Sequence, residues 1–164
     1  IRRALRRFKG IGRRFQMHKP VALASGGEAL VMEDYGHHPT EIRSVYDALT
    51  SAYPDRRIVV AFQPHRYSRT AELYEAFIEV LSEIENVIIT EIYSVREPKI
   101  EGISGQGLVA DVHAKGGNNP IFVESIDEIR EAYAKVAQDG DLIVMMGAGN
   151  IGSVAANFYK GGAL

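Results

Sequence analysis

IVVAFQPHRYSRT, residues 58–70, decides how this chain folds. Ile58–Phe62 is apolar without a break, as expected of a strand covered on both faces. A polar, proline-containing loop follows. Residues 71–84 then carry Leu73, Phe77, Val80, Leu81 and Ile84 at helical spacing. The same strand-then-helix order runs outward from here. Residues 86–90 and 142–146 read as buried strands and 121–123 as a weaker one. Helices are expected at 40–52, where Ile42, Val45, Tyr46 and Leu49 share a side after Pro39, and at 104–115, 126–138 and 150–160. Upstream, residues 13–18 and 28–34 suit two strands, joined by an irregular stretch at 20–24 and a Ser25-Gly26-Gly27 turn. Residues 2–8 would finish a helix that Gly10 and Gly12 end. The expected fold is α/β: a Rossmann-like, mostly parallel sheet with helices on both faces, right-handed crossovers and an N-terminal β-hairpin at the edge.

The 164 residues suit one domain, and 46 % hydrophobic with 24 % charged residues is enough to build a core without staples. The absence of cysteine excludes a disulfide framework, a zinc ribbon and a thiol nucleophile. No stretch approaches the roughly 20 apolar residues of a membrane span, and no signal-peptide core follows the basic start. A chain that begins at Ile1 is expected to be a piece of a longer one. The net charge of −2 is uneven: residues 1–16 hold seven basic side chains and no acid, leaving the rest at −9. A basic arm can bind nucleic acid. Here the acidic body would repel a phosphate backbone, and the arm carries only Phe8 and Phe15 as aromatics, so a solvated linker end is the preferred reading.

Ligands of open α/β sheets bind beyond the carboxyl ends of the strands, and three segments fall there. In DYGHHP, residues 34–39, Asp34 suits a ribose hydroxyl and His37 or His38 suits an anion or a proton; capping of the next helix is the alternative. In residues 63–70, Arg66 and Arg69 stand three apart beside His65 and suit a clamp on a carboxylate or phosphate. Pairing of these arginines with Glu72 and Glu75 is the competing reading. GAGNIG, residues 147–152, fits a G-x-G-x-x-G fingerprint without its context, because only 12 residues follow Gly152 and no acid-bearing second strand is among them. Either its backbone N–H groups hold an anion or its glycines serve close packing. No G-x-x-x-x-G-K-[ST] loop, G-x-S-x-G elbow, H-E-x-x-H or metal-spaced acidic cluster is present.

RRFQ (residues 13–16), DYGHHPTE (34–41), FQPHRYSRT (62–70) and GAGNIG (147–152), in this order and spacing, resemble the C-terminal domain of the UDP-N-acetylmuramate–L-alanine ligases of the Mur ligase family. The resemblance covers nearly the whole chain. It implies that residues 1–12 end a preceding linker and 13–164 form the third domain of a cytoplasmic bacterial enzyme. The N-terminal domain would hold the UDP-sugar, and the central one the phosphate loop and Mg2+ ligands, with no metal ligand here. The implied reaction uses ATP to phosphorylate the lactyl carboxylate of UDP-N-acetylmuramate, and the amine of L-alanine then attacks the acyl phosphate. Carried over by motif, Asp34 and His38 look like nucleotide contacts. Tyr35 and His37 look like groups around the reacting atoms. His65, Arg66 and Arg69 look like the receiver of L-alanine, with His37 and His65 as the catalytic pair. Apart from the resemblance, the position of the Gly149–Asn150 turn at a strand end suggests that its backbone assists at the same spot.

One departure is MHKPVALASGGEALVME (residues 17–33), which is longer and less acidic before Asp34 than the family pattern and bears on the hairpin's geometry. Three alternatives stand beside this reading: a recycling ligase that attaches a tripeptide to the same nucleotide sugar, a stand-alone nucleotide-binding module, and a basic-armed nucleic-acid binder. No nucleic-acid or membrane partner is expected.

Overall fold

The structure, a computed structural model, describes residues 12–164; the helix end expected at residues 2–8 lies outside them. The strands are β1 Gln16–Met17, β2 Val21–Ala22, β3 Glu28–Asp34, β4 Ile58–Phe62, β5 Val87–Thr90, β6 Ile121–Val123 and β7 Leu142–Met146. The helices are α1 Pro39–Ala52, α2 Tyr67–Glu72, α3 Tyr74–Ser82, α4 Gly105–Ala114, α5 Ile129–Val136 and α6 Ile151–Asn157. The sheet runs β1-β3-β7-β4-β5-β6. β3, β7, β4, β5 and β6 are parallel, and β1 and β2 pair antiparallel with β3 at the edge.

Strand residues alternate between two cores, because successive side chains point to opposite faces. Ile58, Val60, Phe62, Leu142, Val144 and Met146 pack against α1, α3 and α4. Val59, Ala61, Ile143 and Met145 pack against α5, α6 and Phe158. Every residue of β4 and β7 is buried, which is why both read as unbroken apolar runs. At the opposite end of the sheet from the loops described below, Arg57 ties β4 to β7 by donating to both oxygens of the buried Asp141, Nε to Oδ1 at 3.0 Å and Nη2 to Oδ2 at 2.7 Å.

Three expectations are corrected in detail. The first strand of the hairpin is broken in two. Arg13 and Phe15 sit at φ 61 and 46, outside the strand region, and β2 forms inside the stretch expected to be irregular. Pro20, with no N–H to give, lies in the gap between the two pieces. The helix expected at 71–84 starts at Tyr67 and is interrupted at Leu73 (φ −111), because the Arg66 carbonyl accepts both Thr70 N–H at 3.0 Å and Thr70 Oγ1 at 2.9 Å and so starts a turn early. The helices expected at 126–138 and 150–160 keep their positions, but Ile126–Glu128 and Phe158–Gly161 wind as 3-10 turns.

Candidate functional site

Asp34, Met146 and Phe62 are in register across β3, β7 and β4, so the three expected loops leave the sheet side by side. The DYGHHP loop is built around Asp34. Its Oδ1 accepts from Gly36 N–H at 2.7 Å, its Oδ2 from Phe15 N–H at 3.0 Å, and its carbonyl from Gly147 N–H at 3.1 Å. The residue is fully buried. Each carboxylate oxygen accepts from backbone, so Asp34, expected to meet a ribose, shapes the loop in this structure. His38, expected beside it on the nucleotide, is the N-cap of α1. Its Nδ1 accepts from Thr40 N–H at 3.2 Å, while Glu41 accepts from His37 N–H at 3.0 Å and His38 N–H at 3.2 Å, closing a capping box.

His37 turns the other way, toward the β4 loop. Its ring is 6.0 Å from that of His65 and meets Tyr35 edge-on at 5.3 Å. Both neighbours of His37 Nδ1 are acceptors, the Tyr35 carbonyl at 3.1 Å and Glu41 Oε2 at 3.4 Å. In the neutral ring that nitrogen carries the proton, and Nε2 then keeps a lone pair. His65 is the converse: its Nδ1 accepts from Arg69 Nη1 at 3.3 Å, which puts the proton on Nε2. Two facing imidazoles thus present one acceptor and one donor, an arrangement suited to taking a proton from one group while bonding another.

Arg69 is half-buried, and Arg66 is exposed at the start of α2 with φ 75. Neither is tied to Glu72 or Glu75 among the bonds of the described residues. Arg66 instead binds Glu97, Nε to Oε1 at 2.6 Å, and its N–H donates to Tyr93 O at 2.8 Å. Tyr93 stacks on His65 at 5.7 Å and 19°. Burial, then the charges of Arg69, of His37 when it is protonated, and of Arg66, push the His65 pKa below its ordinary 6.5, against a smaller pull from Glu97. With the folded value below the unfolded one, no penalty exists above about pH 6.5; stability is lost as pH falls through the folded value. In an NMR titration His65 is expected to protonate below pH 6.5, and Arg69→Ala to move the midpoint up. Titration at or above 6.5 in the parent chain would contradict the packing described.

GAGNIG is locked from two sides. Gln63 Nε2 donates to Asn150 Oδ1 at 2.8 Å, and Gln63 Oε1 accepts Ile151 N–H at 3.1 Å. Arg13 Nη2 donates to the Gly147 and Gly149 carbonyls at 2.8 and 3.0 Å, and its Nε to Glu33 Oε1 at 2.8 Å. A Cβ on Gly149 would collide with Gln63 and Tyr93, and one on Gly152 with Glu33 and Arg13. Close packing therefore accounts for these two glycines, and Asn150 is held by its side chain rather than aimed outward.

The structure thus brings Tyr35, His37, His65, Arg66 and Arg69 around one mouth, with Gly149 and Asn150 behind it and Asp34 and His38 as supports. Gln63, Tyr93, Glu97 and Arg13 were not expected. A buried Glu33 (3 % exposed) demanding a cation was the available signal for Arg13; Tyr93 and Glu97 come from the loop after β5, whose sequence carries no motif.

A family model described as Mur ligase, glutamate ligase domain, matches residues 13–149. The UDP-N-acetylmuramate–L-alanine ligase of Burkholderia multivorans is 46 % identical over 160 residues, 98 % of this chain and 34 % of that protein. The chain spans about a third of the length of the curated relatives it matches. Among solved structures, the UDP-N-acetylmuramate-alanine ligase of Thermotoga maritima superposes with a TM-score of 0.71 at 26 % identity, covering 96 % of this chain and 31 % of that one. A domain from a putative UDP-N-acetylmuramate:L-alanyl-γ-D-glutamyl-meso-diaminopimelate ligase of Haemophilus ducreyi shares the fold (TM-score 0.63, 21 % identity), with 90 % of this chain and 98 % of that one covered.

Proposed function

Because this chain belongs to the Mur ligase family, we propose that it is the C-terminal domain of an ATP-dependent ligase joining UDP-N-acetylmuramate to L-alanine in peptidoglycan precursor synthesis. Residues 13–164 are the domain in this reading, and 1–12 end the linker from a central domain. The observation that carries it is the cluster of His65, Arg66 and Arg69 at the end of β4, facing His37 and Tyr35 from the end of β3. An amino acid that attacks an acyl phosphate must be held by its carboxylate while its amine is free. A guanidinium does this without offering a competing base. Arg66 takes the carboxylate, assisted by Arg69. His37 Nε2 accepts a proton from the amine, and His65 Nε2–H bonds an oxygen on which negative charge develops.

ATP and Mg2+ belong to the whole enzyme in this reading. Among the described residues no group of three or more His, Cys, Asp or Glu side chains stands together to hold a metal, so none is assigned to magnesium and no step is routed through it. The phosphate loop and metal ligands are those of the missing central domain, and UDP-N-acetylmuramate is received mainly by the missing N-terminal one. No described helix is long and apolar enough to cross a membrane. The bacterial cytoplasm is proposed separately, on the likeness to the Burkholderia multivorans ligase. The test is phosphate release by the full-length enzyme given magnesium-ATP, UDP-N-acetylmuramate and single amino acids. Release that requires L-alanine is expected. Release with the tripeptide alone would assign the recycling reaction, and none under any combination would leave a binding module.

A further inference from the structure

Glu97 gathers the donors at the mouth of the site. Its Oε1 accepts from Arg66 Nε at 2.6 Å and Ser68 Oγ at 2.9 Å, with Arg66 Nη2 2.5 Å away, and its Oε2 accepts from Ser68 N–H at 3.0 Å. A carboxylate offers about four lone-pair sites; here Arg66 and the Ser68 hydroxyl crowd Oε1, and Oε2 accepts from the Ser68 N–H. The Ser68 N–H first, then the Arg66 guanidinium and the Ser68 hydroxyl, hold the Glu97 pKa down at about 2, so the group is charged at any working pH. It follows a tight backbone turn closed by Glu97 N–H, which donates to Ser94 O at 3.0 Å. Val95 and Arg96, the two residues before it, lie at φ 52 and 66, and Arg66 itself at φ 75. Side chains rarely adopt that region, and a β-branched residue least of all. The pair is open to exchange, with Arg66 47 % and Glu97 19 % exposed in their side chains.

We propose that Glu97 is an internal competitor that sets affinity and selectivity for the amino acid: the substrate's carboxylate takes Arg66 and Ser68 by displacing the carboxylate of Glu97. This rests on the reading above that Arg66 receives the amino acid's carboxylate. One donor set complementary to a single carboxylate cannot serve two. A ligand lacking a carboxylate has nothing to offer in exchange for the lost ion pair, so the exchange screens out neutral amines.

The test is Glu97→Gln, which keeps the shape and the bond to Ser68 and removes the charge. In the full-length enzyme, KM for L-alanine is expected to fall about 5-fold as the competing state is weakened. If Glu97 merely orients Arg66, KM rises and kcat falls. That result, or an unchanged KM, overturns the proposal. A second measurement does not depend on ligase activity: NMR titration of this chain with acetate, read at the Ser68 amide. Both Glu97→Gln and Glu97→Ala are expected to bind acetate about 5-fold more tightly than the parent; equal or weaker binding overturns the proposal. Full-length enzyme without L-alanine-dependent phosphate release would remove the proposed function while the acetate titration still decides the role of Glu97.

Discussion

On the function proposed above, replacing Arg66 by alanine in the complete enzyme is expected to lower kcat/KM for L-alanine about 30- to 100-fold and to leave KM for ATP within about 2-fold. The size follows from the bonds at stake. A hydrogen bond to a charged group contributes roughly 1.5–3 kcal/mol, and each 1.36 kcal/mol is about tenfold. A bidentate contact exceeds the lower figure, and the proposed exchange for Glu97 keeps it below the upper one, at about 2–2.7 kcal/mol. The backbone of residue 66 stays put in the variant, since its N–H is held by Tyr93 O and its carbonyl by Thr70, so the loss reports on the side chain. Arg66→Lys keeps the charge but not the fork, and falls between parent and alanine variant. The measurement is steady-state phosphate release with each substrate varied in turn. A variant whose ATP dependence collapses while its L-alanine dependence is normal would overturn the assignment.

The parallel sheet was legible because its central strands had no choice. Ile58–Phe62 and Leu142–Met146 are covered on both faces, so nothing but apolar residues suits them, and their order with the helices left one fold class. The edge was less legible for the opposite reason. β1 and β2 are two residues each, too short for alternation to register; Arg13 and Phe15 at positive φ delay the start of β1, which no composition announces, and Pro20 lies in the gap before β2. The helix start at Tyr67 was hidden too. It depends on Arg66 adopting φ 75, a conformation set by Tyr93 and Glu97 from a distant loop.

The motifs located the mouth of the site but not the division of labour within it. His37 and His38 are chemically alike in sequence. Only the fold separates them: the His38 side chain caps α1, and the His37 ring faces His65. Asp34 shows the same limit, since a carboxylate after a strand suits a ribose or a turn equally well, and only the fold shows the N–H groups of Phe15 and Gly36 on it. In GAGNIG the letters allowed an anion nest; Gln63, 87 residues from Asn150, fills the position instead.

Arg13→Ala is expected to destabilise the chain by about 2–3 kcal/mol and to lower Tm by roughly 5–10 °C, at about 2–4 °C per kcal/mol for a domain of this size. Arg13 is the far side of the site's foundation. It donates to Glu33 and to the Gly147 and Gly149 carbonyls, and its guanidinium lies 4.7 Å from the Tyr35 ring. Breaking a buried ion pair from one side costs about 3–5 kcal/mol. Here the arginine is 34 % exposed and His18 Nε2 remains 3.1 Å from Glu33 Oε2, which reduces the figure. The loss should be coupled to Glu33 rather than general: adding Glu33→Gln to Arg13→Ala removes the stranded charge and recovers about half of it, a double-mutant cycle read by thermal melts. A single variant melting within about 1 °C of the parent would mean that Arg13 is not an anchor. A strictly additive double variant would mean that the carbonyls of Gly147 and Gly149, not Glu33, are what it holds, and the effect would then lie in the geometry behind His65 and Tyr93 rather than in the edge of the sheet.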